Sequence, residues 1–88
     1  MEVFLNGEWI PEEQAQVSAF DRGFLYGDGV FETIRIYQGH PFLLERHLGR
    51  LGHGLSGLHI EDPFSFDEWT THCRELIARN KVSDGILR

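Results

Sequence analysis

Residues 21–35, DRGFLYGDGVFETIR, decide how the rest of the chain is read. Gly23, Gly27 and Gly29 look at first like a loop that cradles phosphate. Such loops put a helix directly after the glycines, so that its first N–H groups face the anion. Here VFETIRIY follows, residues 30–37, rich in β-branched and aromatic side chains and bounded by Gly29 and Gly39. That composition predicts a strand over Val30–Tyr37. No Gly-Lys pair accompanies the glycines. They read instead as a tight bend, in conformations closed to other residues, that brings Tyr26, Asp28 and Phe31 to one corner.

Alternation along a strand gives the segment two faces. Val30, Glu32, Ile34 and Ile36 form one, suited to packing under helices apart from Glu32. Phe31, Thr33, Arg35 and Tyr37 form the other. A solvated face is the ordinary reading of that second set. Aromatic walls beside a cation and hydroxyls also suit a pocket lining.

Outward from this strand, VFLNGEWI at residues 3–10 places apolar runs on both sides of Asn-Gly. This predicts a hairpin closed by a type I′ turn. Residues 14–22 read as a short extended piece ending in the DRG turn, and Gln38–His40 turns into a second short strand around Phe42. From Leu44, leucines recur at 44, 48, 51, 55 and 58, which fits one helical face. Gly49, Gly52, Gly54 and Gly57 interrupt that stretch. Each costs roughly 1 kcal/mol relative to Ala, so tertiary packing against a close neighbour must hold this helix. A second helix is better specified: Ser65 and Glu68 form a capping box, and Phe64 with Trp69 has staple spacing. Its expected buried stripe is Phe66, Trp69, Cys73, Leu76 and Ile77. Asn80 and Lys81 suit its C-terminal end, and ILR after Gly85 starts another strand. The expected fold class is α+β, a two-layer sandwich of a mostly antiparallel sheet with two helices on one face.

Bulk properties narrow the function. The chain has 88 residues, 41% apolar and 25% charged, with a net charge of −6. No basic face is available to neutralise nucleic-acid phosphates. A single small phosphorylated ligand held by one or two arginines remains compatible with that charge. Cys73 is the only cysteine, which rules out an internal disulfide and fits a reducing, cytoplasmic home. Neither a signal peptide nor an apolar run of membrane-spanning length is present, so no membrane partner is expected. The chain starts with Met and stops at SDGILR, just as a turn has launched an apolar run. It reads as the N-terminal part of something longer.

Candidate chemistry is sparse. Arg46 and Arg50 lie one helical turn apart and can meet one anion, although such arginines more often sit in solvent. His40, His47, His53, His59 and His72 show no metal-ligand spacing. Cys73 falls on a buried stripe and reads as core. Lys81 is the only lysine and reads as a cationic helix end, so a Schiff-base lysine, if one is needed, must lie beyond residue 88.

Taken together, SAFDRGFLYGDGVFETIRIYQGHPFLLERHLGRL, residues 18–51, closely resembles the N-terminal domain of class IV, fold-type IV pyridoxal-phosphate enzymes. That group holds branched-chain aminotransferases, D-amino-acid aminotransferases and aminodeoxychorismate lyases, and the resemblance covers essentially the whole chain. It implies that residues 1–88 are the N-terminal domain, with the catalytic lysine in a second domain outside this chain. It implies pyridoxal 5′-phosphate as cofactor, amino-acid and 2-oxo-acid substrates, and a homodimer with pocket residues shared across subunits. Carried over by position, Arg50 in HLGRL matches the arginine on the cofactor phosphate, and His47 matches a supporting H-x-x-R position. Phe31 matches a substrate-pocket wall, Tyr26 a pocket tyrosine reaching the neighbouring subunit's site, and Arg88 an arginine that meets a substrate carboxylate. Tyr26, Phe31 and Arg88 lean toward branched-chain amino acid/2-oxoglutarate transamination. Thr33 departs from the glycine usual there in that branch. Aminodeoxychorismate lyase and D-amino-acid aminotransferase are the alternatives within the family, and a non-catalytic self-association module is the alternative outside it.

Overall fold

The structure is a computed structural model that describes residues 1–88. Strands β1 (Glu2–Leu5) and β2 (Glu8–Pro11) pair antiparallel, with Leu5 opposite Glu8 across Asn6-Gly7. Both turn residues have positive φ, 52° and 82°, as a type I′ turn demands. A single 3-10 turn, Glu12–Gln14, leads away from the hairpin. The expected DRG bend is a short helix, α1 (Arg22–Tyr26). The Asp21 side chain caps it by accepting from the Gly23 N–H at 2.9 Å. It ends at Gly27, whose φ of 72° is left-handed. Of the three glycines in this bend, only Gly27 has a backbone closed to other residues.

Strand β3 is shorter than expected, Ile34–Tyr37 rather than Val30–Tyr37. It sits between β4 (His40–Pro41) and β5 (Gly85–Leu87) in a three-stranded antiparallel sheet. The register pairs Ile34 with Leu87 and Ile36 with Gly85. The side-chain alternation nevertheless continues upstream, with Val30 and Glu32 half-buried and Phe31 and Thr33 exposed. Pro41 lies on an edge strand, where its missing N–H costs no ladder bond.

Helix α2 (Leu44–Gly57) follows the leucine spacing, burying Leu44, Leu48 and Leu55. Leu58 lies past its end and is exposed. The expected close neighbour is present at one of the four glycines. A Cβ on Gly54 would stand 3.0 Å from Val30 Cγ1, so the helix approaches the strand segment through that glycine. Helix α3 (Phe66–Arg79) starts with the expected reciprocal capping box between Ser65 and Glu68. Phe64 packs edge-on against Trp69 with ring centroids 5.0 Å apart. Ile77 is buried, and Trp69, Cys73 and Leu76 pack partly against the core. Phe66 departs from the expected stripe and is exposed.

Ile34, Ile36, Leu44, Leu48, Ile77 and Leu87 form the core between this sheet and the two long helices. Burying such side chains stabilises the fold by roughly 1.5–3 kcal/mol each. The β1–β2 hairpin forms a separate two-stranded sheet. It docks on α3 through Phe4, stacked 4.4 Å from the His72 ring, and through Asn80. The Asn80 side chain accepts from the Glu2 N–H at 2.8 Å and donates to the Glu2 carbonyl at 2.9 Å, imitating a strand partner. Arg79 adds an ion pair to Glu2 and lies over the Trp9 ring. The architecture is thus α+β, with antiparallel sheets and the long helices against the core face. None of its helices is long and apolar enough to cross a membrane.

Candidate functional site

Glu32 stands just upstream of β3 on the inward face, and only 10% of its side chain is exposed. A carboxylate there needs partners, because desolvation without them is costly. Helix α2 supplies two, one turn apart. His47 faces Glu32 Oε1 through Nδ1 at 2.6 Å. An ionised carboxylate can only accept, so the Nδ1 position carries the proton. Arg50 donates from Nε to Oε2 at 2.9 Å and from Nη2 to Oε1 at 2.8 Å. This is a bidentate guanidinium–carboxylate pair, the strong form of the interaction. The Arg50 guanidinium, then His47, hold the Glu32 carboxyl well below its ordinary 4.5, at about 2, against the opposing effect of burial. The same carboxylate raises Arg50 further above its ordinary range.

The pairing spends one edge of the guanidinium only. Nε and Nη2 face Glu32, while the Nη1 side has no protein partner and the side chain is 72% exposed. A planar cation with a fixed edge and an open edge suits a phosphate or a carboxylate arriving from solvent. Arg46, one turn earlier, forms no ion pair and does not join this cluster.

Beside Glu32 lies a mostly apolar cavity of about 250 Å³ between the hairpin, β3 and the long helices. Phe4, Phe31, Trp69 and Cys73 contribute to its walls, with Glu32 and Arg88 as the charged groups. Phe31 and Arg88 are brought together: the guanidinium carbon lies 4.5 Å from the ring centroid, a cation–π contact. Tyr26 is placed elsewhere. It does not line the cavity, is 68% exposed, and has Arg22 over its ring at 5.0 Å. Burial raises the Cys73 thiol above its ordinary range, as expected of a core cysteine. The five histidines gather no metal cluster with other ligand types. Lys81 lies past α3 with a left-handed backbone, φ 52°.

Arg50, His47, Phe31 and Arg88 are candidates in the sequence, where Glu32 stands out only as an exception on an apolar face. The missing signal was the spacing on α2, since His47 and Arg50 lie three residues apart and present two donors to one inward carboxylate.

Comparison with known proteins supplies the context. Residues 29–88 match the family described as amino-transferase class IV. The chain is 44% identical over 86 residues to an aminodeoxychorismate lyase of Bacillus subtilis, covering 98% of this chain and 29% of that protein. It is 41% identical over 88 residues to a protein of Methanocaldococcus jannaschii provisionally named branched-chain-amino-acid aminotransferase, covering all of this chain and 31% of that one. A solved structure of 4-amino-4-deoxychorismate lyase from Pseudomonas aeruginosa superposes with a TM-score of 0.68 at 40% identity, over 82% of this chain and 25% of that one. The chain therefore spans a little under a third of the length of the curated relatives it matches. Across that span the chain belongs, by its sequence and its fold, to the class IV aminotransferase family.

Proposed function

We propose that residues 1–88 are the N-terminal domain of a pyridoxal 5′-phosphate enzyme acting on amino-acid substrates, with Arg50 on the cofactor phosphate. The observation that carries this reading is the guanidinium fastened to Glu32 by one edge and open along the other. Its donors fit a phosphate in charge, planarity and exposure. The cofactor, when bound, supplies the electron-withdrawing ring that makes the substrate Cα–H acidic. This chain's residues bind and orient. Arg50 anchors the phosphate, Phe31 gives the substrate an apolar wall, and Arg88 offers a cation to a substrate carboxylate. Tyr26, exposed on α1, suits a role in a neighbouring subunit's site within a homodimer. A Schiff-base lysine is expected outside residues 1–88, so these residues alone are expected not to turn over amino acids.

Two substrates have separate support. Aminodeoxychorismate lyase is the reading we place first: a sequence relative and a solved structure both carry that name, and Thr33 departs from the glycine of the branched-chain type. Branched-chain transamination with 2-oxoglutarate rests on the Phe31–Arg88 pair and on the archaeal relative. A single apolar wall separates similar side chains by only about 1–3 kcal/mol. Pyruvate release from aminodeoxychorismate by the whole polypeptide supports the lyase. Loss of leucine that requires 2-oxoglutarate supports the aminotransferase. An absorbance near that of bound pyridoxal phosphate, abolished by borohydride, is expected in both cases, and its absence contradicts the cofactor assignment.

A further inference from the structure

We infer that Glu32 is a positioning residue for phosphate recognition, setting the direction in which Arg50 presents its open edge. The inference deepens the proposal for Arg50 and rests on it. An arginine that is 72% exposed would ordinarily sample many rotamers and would lose that freedom on gripping an anion. Glu32 removes most of the freedom beforehand. Its Oε2 takes Nε–H at 2.9 Å and its Oε1 takes Nη2–H at 2.8 Å, which fixes the guanidinium plane as well as its position.

Glu32 is itself fixed. His47 Nδ1 holds Oε1 at 2.6 Å, and the carboxylate is largely enclosed at the upstream end of the central strand β3. Strand, histidine and arginine thus form a rigid frame built from two elements, with one edge of a cation left facing solvent. Rigid support of this kind is what turns a flexible surface cation into a site.

The same carboxylate carries a negative charge close to where a phosphate would sit, and that charge opposes binding. The two effects have opposite signs in the variants, so they can be separated. Removing the charge with Glu32→Gln strengthens phosphate binding if Glu32 only competes for Arg50. It weakens binding if Glu32 aims Arg50, because the neutral amide cannot accept two charge-assisted hydrogen bonds and a third from His47. Glu32→Asp keeps the charge and withdraws it by one methylene. It leaves affinity unchanged if only charge matters, and lowers it if aim matters.

The test measures equilibrium binding of pyridoxal 5′-phosphate and of pyridoxal to the whole polypeptide that carries residues 1–88. The ratio of the two affinities isolates the phosphate, since a general folding defect lowers both alike. Positioning predicts that Glu32→Gln and Glu32→Asp each lower that ratio by about tenfold, the usual scale for losing a supporting residue. A ratio that is unchanged or raised in Glu32→Gln overturns the inference. Arg50→Gln, which removes the cation, serves as the arm for the underlying assignment. If it leaves the ratio intact, Arg50 does not hold the phosphate and both proposals fall. If it lowers the ratio while the Glu32 variants do not, only the role of Glu32 is overturned.

Discussion

Residues 34–57 and residues 12–31 treat similar side chains in opposite ways. The first stretch buries Ile34, Ile36, Leu44, Leu48 and Leu55. The second leaves Val17, Phe20, Phe24, Leu25, Tyr26 and Phe31 largely exposed. Each also carries an arginine paired with a carboxylate. Arg50 meets Glu32 through two donors, and His47 joins the same carboxylate on the inward side of β3. Arg22 meets Asp28 through one donor at 3.0 Å, with both side chains well in solvent. Residue type therefore says little by itself. What separates the two pairs is whether a strand and a helix from the core hold the partners at fixed places. The core region builds a frame, and the exposed region supplies surface whose aromatic side chains stay largely in solvent.

The sharpest way to break the contrast is in the core. Ile36, at 1% exposure, is the most enclosed large side chain. Ile36→Ala is expected to destabilise the fold by about 2–5 kcal/mol in denaturant unfolding. Phe24→Ser, in the exposed region, should change the stability of this chain by no more than about 0.5 kcal/mol. A comparable loss at both positions would show that α1 is packed more tightly than its exposure indicates.

A smaller effect is expected at the start of α3. Ser65→Ala removes the hydroxyl that accepts the Glu68 N–H at 3.1 Å and should cost roughly 1 kcal/mol. Its backbone partner matters to pH as well, since the Ser65 N–H holds the Glu68 carboxyl below its ordinary range.

The ion pairs give the next distinction, and it is confined to acid. Glu32 is lowered on folding from 4.5 to about 2, so its ionised form stabilises the folded state. That contribution is fully present above about pH 4.5 and is lost as pH falls through about 2. Thermal melts of the wild type and Glu32→Gln should therefore differ above that window and converge toward its acid end. A difference that persists at the lowest pH would mean that shape rather than charge holds the cluster. At the exposed pair the smallest effect is expected. Asp28→Asn should shift stability by less than about 0.5 kcal/mol, because solvent screens a single-donor surface pair.

What could be read in advance follows the range of the interactions. Asn6-Gly7, the leucine spacing from Leu44 and the Ser65–Glu68 box act within a few residues, and each forms as expected. β3 pairs with β5 over Ile34–Ile36 and with β4 over Ile36–Tyr37, and the β5 pairing joins residues about fifty positions apart that local composition does not specify. Helix α1 lies where the sequence predicts a plain bend, although Asp21 and Gly27 are a cap and a stop in the right places. Three glycines in a short stretch hid a helix of five residues. The partner of Glu32 was beyond local reading altogether, since Arg50 lies eighteen residues away and meets it only once α2 packs over the strand. The placement of Tyr26 away from the cavity likewise depends on how α1 leaves the core.

The central claim is that Arg50 presents an open guanidinium edge to the cofactor phosphate. Binding of pyridoxal 5′-phosphate and of pyridoxal to Arg50→Gln, in the whole polypeptide, tests it most directly. The account predicts that affinity for the phosphorylated form falls by at least about tenfold, equivalent to 1.4 kcal/mol, while affinity for pyridoxal stays close to that of the wild type. Equal affinity of wild type and Arg50→Gln for pyridoxal 5′-phosphate would contradict it.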